Sequence, residues 1–380
     1  TKRSAACRAQ SAQRWQAPIM QCCWAVALGL LHACPLSTAL VVQRAEHGSH
    51  RGQDTQPVTL VGNYAVTSFE IGGQNFTALI DTGSSAVAVA SGQCDSEGCV
   101  GHRHFRPEDD AEGRFMGVEM SDLHISFATA SLAGSGFATS VCLGTELCGN
   151  AAIIVAATES AQFQALPCDA VLGLGLPQQA PSPAFNVLSS LKKVKQRFEL
   201  ALKFGSTVQS YLSLGAGKSD FHGAWLNMLG LRDQWTVALQ GFGVQGLQAH
   251  QPCGEHGCSA LIDSGCPNIV LPAVVDSQLK KELHLDDCAP EAIASMPELT
   301  FKLADGHVYV VRPEHYVRLL DDGSSQRCSL AVVGTDDSAN MAILGMPFLL
   351  GRSVLFDQEN HRVAMSGGQL PPAKEATRAA

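Results

Sequence analysis

Residues 78–91 read Ala-Leu-Ile-Asp-Thr-Gly-Ser-Ser-Ala-Val-Ala-Val-Ala-Ser, an apolar run that one acid, Asp81, interrupts. Apolar runs bounded by glycine and serine are typical of buried strands. A carboxylate at the end of such a strand is costly to desolvate unless hydrogen-bond donors surround it. The backbone N–H groups of Gly83 and Ser84 and the Ser84 hydroxyl are such donors. The stretch therefore predicts a carboxylate that is held inside the protein.

The same pattern recurs at residues 259–272, which read Ser-Ala-Leu-Ile-Asp-Ser-Gly-Cys-Pro-Asn-Ile-Val-Leu-Pro. The string Ala-Leu-Ile-Asp-[Thr/Ser]-Gly is common to both copies, and its acids, Asp81 and Asp263, lie about one domain length apart. An aspartate beside a glycine is often only a turn residue that caps its own loop. Because the whole string is duplicated, that interpretation is disfavoured for both acids at once.

With these two motifs the chain resembles the pepsin-like aspartic proteases, which carry one such motif in each of two lobes. In that family two apolar residues and a glycine follow each motif, as they do here at residues 171–173 and 343–345. Residues 344–349 and 354–357 are similar to its C-terminal signature. The resemblance extends from about residue 58 to residue 365. It implies a mainly β, bilobal double-ψ β-barrel fold with an active-site cleft between two related lobes.

Two carboxyl groups within hydrogen-bond distance cannot both ionise, so the pair shares a proton. One carboxylate can then take a proton from a bound water while the other carboxylic acid gives one to the scissile carbonyl oxygen. This chemistry needs no metal, cofactor, or serine or cysteine nucleophile. The resemblance implies that Asp81 and Asp263 are catalytic, that Thr82 and Ser264 brace the two loops, and that Ser84 bonds Asp81. Gly83 and Gly265 would let the backbone approach the carboxylates closely.

Cys266 departs from the family pattern, in which a threonine or serine hydroxyl supports the second aspartate. A thiol is a weaker donor, so Asp263 would lose part of its support. Alternatively Cys266 is disulfide-bonded, with Cys168 as one possible partner, or both are free thiols.

The family also covers its substrate with a hairpin flap, which the resemblance assigns here to residues 123–137. Phe127 lies where the family has a tyrosine, and Thr129 follows it. Ala88 lies where the family usually has the tryptophan that bonds that tyrosine, so both partners are missing together. We expect Phe127 and Thr129 to face the substrate.

The chain has 14 cysteines, which favours an oxidising compartment. Their placement around the motifs implies the family disulfides Cys94–Cys99, Cys253–Cys258 and Cys288–Cys328, and Cys142 with Cys148 predicts another local bridge. The alternative is a zinc site built from the first four of these thiolates.

We expect five segments along the chain. Residues 1–39 form an N-terminal extension with a signal peptide at 20–39, and residues 40–57 a short polar pro or linker segment. Residues 58–215 form the N-terminal lobe, 216–368 the C-terminal lobe and 369–380 a flexible tail. Helices are expected at residues 182–197, with Ser182 as N-cap, and at 272–283.

The formal net charge of −9 argues against a nucleic-acid partner, which would favour a basic face. We expect a monomer without a stable membrane span after processing, in the secretory pathway, outside the cell or in an acidic vacuole-like compartment. Its partner would be a peptide or unfolded protein. Two functions remain open: an aspartic endopeptidase that works at acidic pH, or a secreted binding or inhibitor protein of the same fold with little or no turnover. The retention of both acids favours the enzyme, since an inactive copy has no chemical reason to bury two carboxylates.

Overall fold

The computed structural model describes residues 55–127, 130–144, 147–191, 196–205, 207–215, 221, 223–230, 233–245, 257–272, 283, 285, 287–321, 326–335 and 341–369. Strands in these residues are β1 (Thr55–Val61), β2 (Tyr64–Ile71), β3 (Gln74–Asp81), β4 (Val87–Ala90), β5 (Arg114–Phe115), β6 (Leu123–Ser126), β7 (Ser131–Leu143), β8 (Leu147–Glu159), β9 (Ala170–Gly173), β10 (Arg197–Ala201), β11 (Ser210–Leu214), β12 (Ala224–Asn227), β13 (Thr236–Val244), β14 (Cys258–Ile262), β15 (Ile269–Pro272), β16 (Leu299–Leu303), β17 (Val308–Val311), β18 (Val317–Asp321), β19 (Gln326–Leu330), β20 (Val332–Thr335), β21 (Met341–Leu344), β22 (Ser353–Asp357), β23 (Arg362–Met365) and β24 (Gly368–Gln369). Short α-helices are α1 (Val187–Ser190), α2 (Pro290–Ala294), α3 (Pro313–Tyr316) and α4 (Met346–Leu349). Single 3₁₀ turns lie at Glu97–Cys99, Pro107–Asp109, Val118–Met120, Ala161–Ala165, Pro177–Gln179 and Pro183–Phe185. The protein is therefore mainly β, as the sequence predicts.

The first motif lies at the end of β3, inside a sheet. Strand β3 runs antiparallel to β2 and parallel to β9, in a register that pairs Asp81 with Gly173. Strand β9 is antiparallel to β4, and β4 is parallel to β8. The last four residues of β3 are all buried, which explains the continuous apolar run before Asp81.

The second motif repeats these strand relations. Strand β14 is parallel to β21, β21 is antiparallel to β15, and β15 is parallel to β20. Asp263 follows β14 directly, and its N–H donates to the Leu344 carbonyl oxygen (3.2 Å). The duplicated sequence thus folds into two units of the same topology, consistent with a bilobal fold.

A shared sheet joins the two halves of the chain. In the larger sheet, β22 and β23 from the second half lie beside β10 and β11 from the first, in the order β12-β23-β22-β10-β11-β1-β2-β3. The rings of Phe198 and Phe356 stack here with centroids 4.6 Å apart, and Trp235 packs edge-on against both. Trp235 Nε1 donates to the Leu174 carbonyl oxygen (3.0 Å), next to the first motif's supporting strand. The relative position of the two motifs therefore rests on a common buried core.

Three details differ from the expected segments. In the described part of residues 182–197, the expected helix is replaced by a 3₁₀ turn at Pro183–Phe185 and the single turn α1. Asn186, not Ser182, caps α1, since its side chain accepts from the Ser189 N–H (3.0 Å). Strand β10 already begins at Arg197. Strand β1 begins at Thr55, so the last residues of the expected linker belong to the sheet. Most of the helix expected at 272–283 lies outside the described residues.

Among the described helices, none has the length and apolar character that crossing a lipid bilayer requires.

Candidate active site

The two motif aspartates meet between the two halves. Asp81 is 3% exposed and Asp263 is 1% exposed. Their carboxyl groups lie within hydrogen-bond reach of each other. Residues that are far apart in the sequence thus form one buried pair of carboxyl groups.

The residues after the two acids hold the loops together by reciprocal hydrogen bonds. The Thr82 N–H donates to Ser264 Oγ (3.1 Å), and the Ser264 N–H donates to Thr82 Oγ1 (2.9 Å). Each hydroxyl then donates across the interface, Thr82 to the Ile262 carbonyl oxygen (2.9 Å) and Ser264 to the Ile80 carbonyl oxygen (2.7 Å). All these groups are buried, so the brace leaves neither loop free to move alone.

The two motif glycines admit the carboxyl groups of the opposite motif. A Cβ added at Gly83 would lie 2.6 Å from the carboxyl carbon of Asp263. A Cβ added at Gly265 would lie 2.3 Å from Oδ1 of Asp81. Real Cβ atoms do not approach carboxyl groups so closely, so any side chain at either position would push the two acids apart. Glycine is therefore required at both positions for the pair to form.

Asp81 is the better supported carboxylate. It accepts from the Gly83 N–H (2.8 Å) and from the Ser84 hydroxyl. Burial raises the pKa of Asp81 above its ordinary value, while the Ser84 hydroxyl and the Gly83 N–H oppose that rise. The ionised form of the pair is thus best accommodated on this side.

Asp263 accepts from the Gly265 N–H (2.8 Å) and from the Cys266 N–H. Burial raises the pKa of Asp263 well above its ordinary value, and the neighbouring Asp81 charge raises it further. With one acid favoured as the anion and the other as the neutral form, the pair can share a single proton.

Cys266 does not act as the thiol donor considered from the sequence. Its sulfur is part of a disulfide and therefore has no proton to donate, and it lies 3.3 Å from the Asn268 carbonyl oxygen. The other half of this disulfide is outside the described residues. It is not Cys168, which is a free, buried thiol, so the possible Cys168 pairing is wrong.

The predicted flap is a hairpin of β6 and β7. The Phe127 N–H donates to the Ala130 carbonyl oxygen (2.8 Å), and the Phe127 ring packs edge-on against Phe163 with centroids 5.6 Å apart. Phe127 lines one pocket together with both aspartates, Phe163 and Leu166. Ala88 is buried beneath this region. Thr129 lies outside the described residues.

No pattern in the sequence singled out three polar residues near the second motif: Asn63, Tyr64 and Arg318. Asn63, in the turn before β2, donates from Nδ2 to the Pro267 carbonyl oxygen (2.9 Å). Arg318 donates from Nη2 to Asn268 Oδ1, and its charge lies close to Tyr64. Burial lowers the pKa of Arg318. These contacts join residues that are remote in sequence, and no local pattern signals them.

The structure contains the disulfides Cys94–Cys99, Cys142–Cys148 and Cys288–Cys328. Cys258 is also disulfide-bonded, whereas Cys253 lies outside the described residues. The Cys94–Cys99 bond contradicts the alternative zinc site, because these two sulfurs are not available as thiolates.

Comparisons with known proteins agree with this geometry. The sequence model of the eukaryotic aspartyl protease family matches residues 64–367. Pepsin-2B from Gadus morhua is 25% identical over 321 residues, which cover 80% of this chain and 95% of that protein. Pepsin A from Sus scrofa is 26% identical over 310 residues (77% of this chain, 78% of that protein). Gastricsin from Rattus norvegicus is 25% identical over 312 residues (77% of each chain).

Proposed function

Because the chain belongs to the eukaryotic aspartyl protease family, we propose that it is an active aspartic endopeptidase, with Asp81 and Asp263 as its catalytic residues. The observation that carries the proposal is the contact between these two buried carboxyl groups from separate halves of the chain, both with raised pKa values. Raised pKa values at a paired, buried site are typical of catalytic acids and bases.

In the proposed reaction the two carboxyl groups hold one proton and one water molecule. The carboxylate takes a proton from the water as the water attacks the scissile carbonyl carbon. The carboxylic acid donates its proton to the carbonyl oxygen, so the tetrahedral intermediate forms without a free oxyanion. The intermediate then collapses: the carboxylic acid gives its proton to the leaving amide nitrogen, the carboxylate takes a proton from one hydroxyl of the intermediate, and the C–N bond breaks. The pair holds one proton again.

Three features support an extended peptide as substrate and acidic conditions as its setting. The pocket beside the aspartates has an apolar wall that includes Phe127, Phe163 and Leu166, which suits an apolar side chain next to the scissile bond. The reaction uses the pair of carboxyl groups with one proton, and this singly protonated form is favoured at acidic pH. The observed disulfides support a route through the secretory pathway.

The decisive experiment is cleavage of an unfolded protein between pH 3 and 6, with and without pepstatin. We expect inhibitable cleavage by the wild type. Asp81→Asn and Asp263→Asn should each lower turnover by about 10²- to 10⁴-fold or more, because Asn keeps the shape but cannot share the proton. Glu359→Gln is the control, since it makes the same change from carboxylate to amide at an exposed residue in the turn between β22 and β23. Measurable turnover by both motif mutants would mean that another group does the chemistry.

A second candidate is a binding or inhibitor protein with little turnover. It is favoured by the missing hydroxyl at Cys266 and by the pair of Phe127 and Ala88 in the flap region. Such a protein would bind pepstatin with 1:1 stoichiometry yet fail to cleave unfolded substrates at any pH between 3 and 6. Binding with cleavage would reject this candidate.

A further inference from the structure

A pocket lined mainly by basic side chains lies in the first half of the chain. It has a volume of about 430 Å³, and its lining includes His102, Arg103, His104, Arg106 and Asp109. None of these residues lines the pocket beside the aspartates. The two arginines outnumber the single carboxylate here, although the whole chain has a formal net charge of −9. Such a local excess of positive charge attracts anions.

The two arginine side chains have no carboxylate partner in the part of the chain that the structure describes. None of the ion pairs there, which join groups within 4.0 Å, involves Arg103, Arg106 or Asp109. The carboxylate of Asp169 accepts from the backbone N–H of Arg103 (3.0 Å), not from its side chain. The guanidinium carbon of Arg103 lies 5.7 Å from the ring centroid of Phe76, which orients the cation without neutralising it. Both guanidinium groups therefore keep donors for a ligand.

The segment that carries these side chains is fixed by its backbone. Phe105 is fully buried, and its N–H donates to the Ala90 carbonyl oxygen (2.8 Å). The carbonyl oxygen of Phe105 accepts from the Gly92 N–H (2.7 Å). The Gln74 side chain accepts from the Arg106 N–H (3.1 Å) and donates to the Arg106 carbonyl oxygen (2.9 Å). The pocket is thus built on a backbone that does not have to be ordered by a ligand.

The two histidines of the pocket can add donors at acidic pH. His102 Nε2 lies 3.1 Å from the Phe163 carbonyl oxygen, and His104 Nε2 lies 2.9 Å from the Cys99 carbonyl oxygen. Because a carbonyl oxygen only accepts, each Nε2 carries a proton, and Nδ1 is the nitrogen that gains or loses one. Protonation of either ring therefore adds one positive charge and one N–H donor to the pocket.

Acidic groups on the neighbouring elements oppose part of this positive charge. They lie in the pocket, in the disulfide loop, at the end of β8 and directly before β9: Asp109, Asp95, Glu97, Glu159 and Asp169. Burial raises the pKa of Glu159 to about 7 and that of the Cys168 thiol to about 12, so both add little negative charge at pH 5. A metal ion is a poorer occupant than an anion, because the described residues contain no group of three or more side chains placed to hold one.

We propose that this basic pocket binds an oxyanion, the phosphate or sulfate group of a small molecule, with Arg103 and Arg106 as its principal partners. A guanidinium presents parallel N–H donors that match the oxygens of these groups, and charge-assisted hydrogen bonds of this kind are among the strongest in proteins. The fixed backbone of the segment lowers the ordering cost of binding. Protonated His102 and His104 strengthen the site at acidic pH. The site goes beyond the proposed peptidase activity and does not depend on it.

The test is isothermal titration calorimetry of the full chain at pH 5 with sodium sulfate, sodium phosphate and glucose 6-phosphate, at constant ionic strength set by chloride. Glucose is the uncharged control, and inorganic phosphate against glucose 6-phosphate tells a free ion from a group on a larger molecule. We expect saturable 1:1 binding of at least one anion. Arg103→Gln and Arg106→Gln should each weaken it about tenfold or more. Arg312→Gln is the matched control and should bind like the wild type, because that side chain is 66% exposed and does not line this pocket.

The contribution of the histidines is tested by the pH dependence of sulfate binding. Sulfate keeps its charge between pH 5 and 8, whereas histidine side chains ordinarily change theirs, so we expect binding about tenfold tighter at pH 5 than at pH 8. In the double variant His102→Gln with His104→Gln, the amide N–H groups can still donate to the two carbonyl oxygens, but the side chains do not titrate. This variant should bind sulfate with nearly equal affinity at both pH values.

No saturable binding of any of the three anions to the wild type would overturn the proposal. Binding that is as tight in both arginine variants as in the wild type would also overturn it, since the anion would then lie elsewhere on the protein. A loss of affinity in Arg312→Gln as large as in the pocket variants would show a general effect of net charge and would count against the site. An unchanged pH dependence in the double histidine variant would remove His102 and His104 from it.

Discussion

The two motif loops share one backbone design but support their carboxylates differently. The strand before each acid lies between a parallel and an antiparallel neighbour, and both loops take part in the same reciprocal brace. Three residues after the acid, however, the first loop has Ser84, whose hydroxyl donates to Asp81. The second loop has Cys266 at that position, and its sulfur is committed to a disulfide. The pKa of Asp263 is raised well above its ordinary value, with fewer donors to oppose the effect of burial.

The side chain three residues after the acid therefore has a different function in each loop. In the first loop the side chain three residues after the acid stabilises the anion. In the second loop the side chain at the same position forms a disulfide. Among the described residues, the donors that oppose the rise of the pKa of Asp263 are the backbone N–H groups of Gly265 and Cys266. When two coupled acids have unequal hydrogen-bond support, one of them ionises first. The shared-proton reaction needs one ionised and one protonated carboxyl group.

The largest effect should come from removing the Ser84 hydroxyl. Ser84→Ala leaves Asp81 with its backbone donor, and we expect kcat to fall about 10- to 100-fold, because a hydrogen bond to a charged group contributes about 1.5–3 kcal/mol. Ser84→Thr keeps the hydroxyl and should retain most of the activity. The measurement is kcat on a peptide substrate at the optimal pH. If Ser84→Ala had wild-type kcat, the two loops would be equivalent in spite of their sequences.

The corresponding change in the second loop should alter stability more than rate. Cys266→Ala removes a disulfide, so we expect a loss of about 2–4 kcal/mol in the free energy of unfolding, measured with denaturant under non-reducing conditions. Because the sulfur donates no proton to Asp263, kcat well below the melting temperature should change less than about threefold, the scale of a fraction of one hydrogen bond. Cys168→Ala is the control, since that buried thiol is free and should cost less. A fall in kcat as large as that of Ser84→Ala would contradict the separation of roles.

Buried carboxyl groups with raised pKa values should contribute a loss of stability as the pH rises. Burial raises the pKa of Glu159, at the end of β8 near the Cys168 thiol, to about 7. Since the folded pKa lies above the unfolded value, the stabilising contribution is complete below about pH 4.5 and is lost as the pH rises through 7. Glu159→Gln should abolish that loss, about 3 kcal/mol at most, in unfolding measured from pH 4.5 to 8.

Asp81 and Asp263 also have raised pKa values, so each aspartate-to-asparagine variant should flatten the same pH profile. Because the two acids titrate as one pair, either variant removes a group that shares the proton. An unchanged pH profile in both variants would show that the pair does not hold a shared proton in the folded protein.

The smallest effects should come from the symmetric brace. Thr82→Val and Ser264→Ala each leave a buried N–H and a buried carbonyl oxygen without a partner, so each should cost about 1–3 kcal/mol of unfolding free energy. Because the hydrogen bonds are reciprocal, the two costs should agree within about 1 kcal/mol. The two changes remove different hydrogen bonds of one buried network, so the cost of the double mutant should depart from the sum of the single costs by about 0.5 kcal/mol or more. Simple additivity would mean that the two hydroxyls act independently.

The sequence by itself determined the features that depend on local pattern. The apolar run before each acid predicts a fully buried strand, and the glycine after it predicts close backbone approach. The duplication of that string predicts two related units, with Asp81 and Asp263 as a pair. Strand positions such as Leu299–Leu303 follow from alternation alone.

Only the tertiary structure decided the contacts that link residues remote in the chain. The disulfide state of Cys266, the Asn63 contact with Pro267 and the placement of Arg318 beside Asn268 have no local signal. Local periodicity encodes which face of a strand is buried, whereas the partner of a polar group depends on how separate strands pack, and that packing is a property of the whole fold.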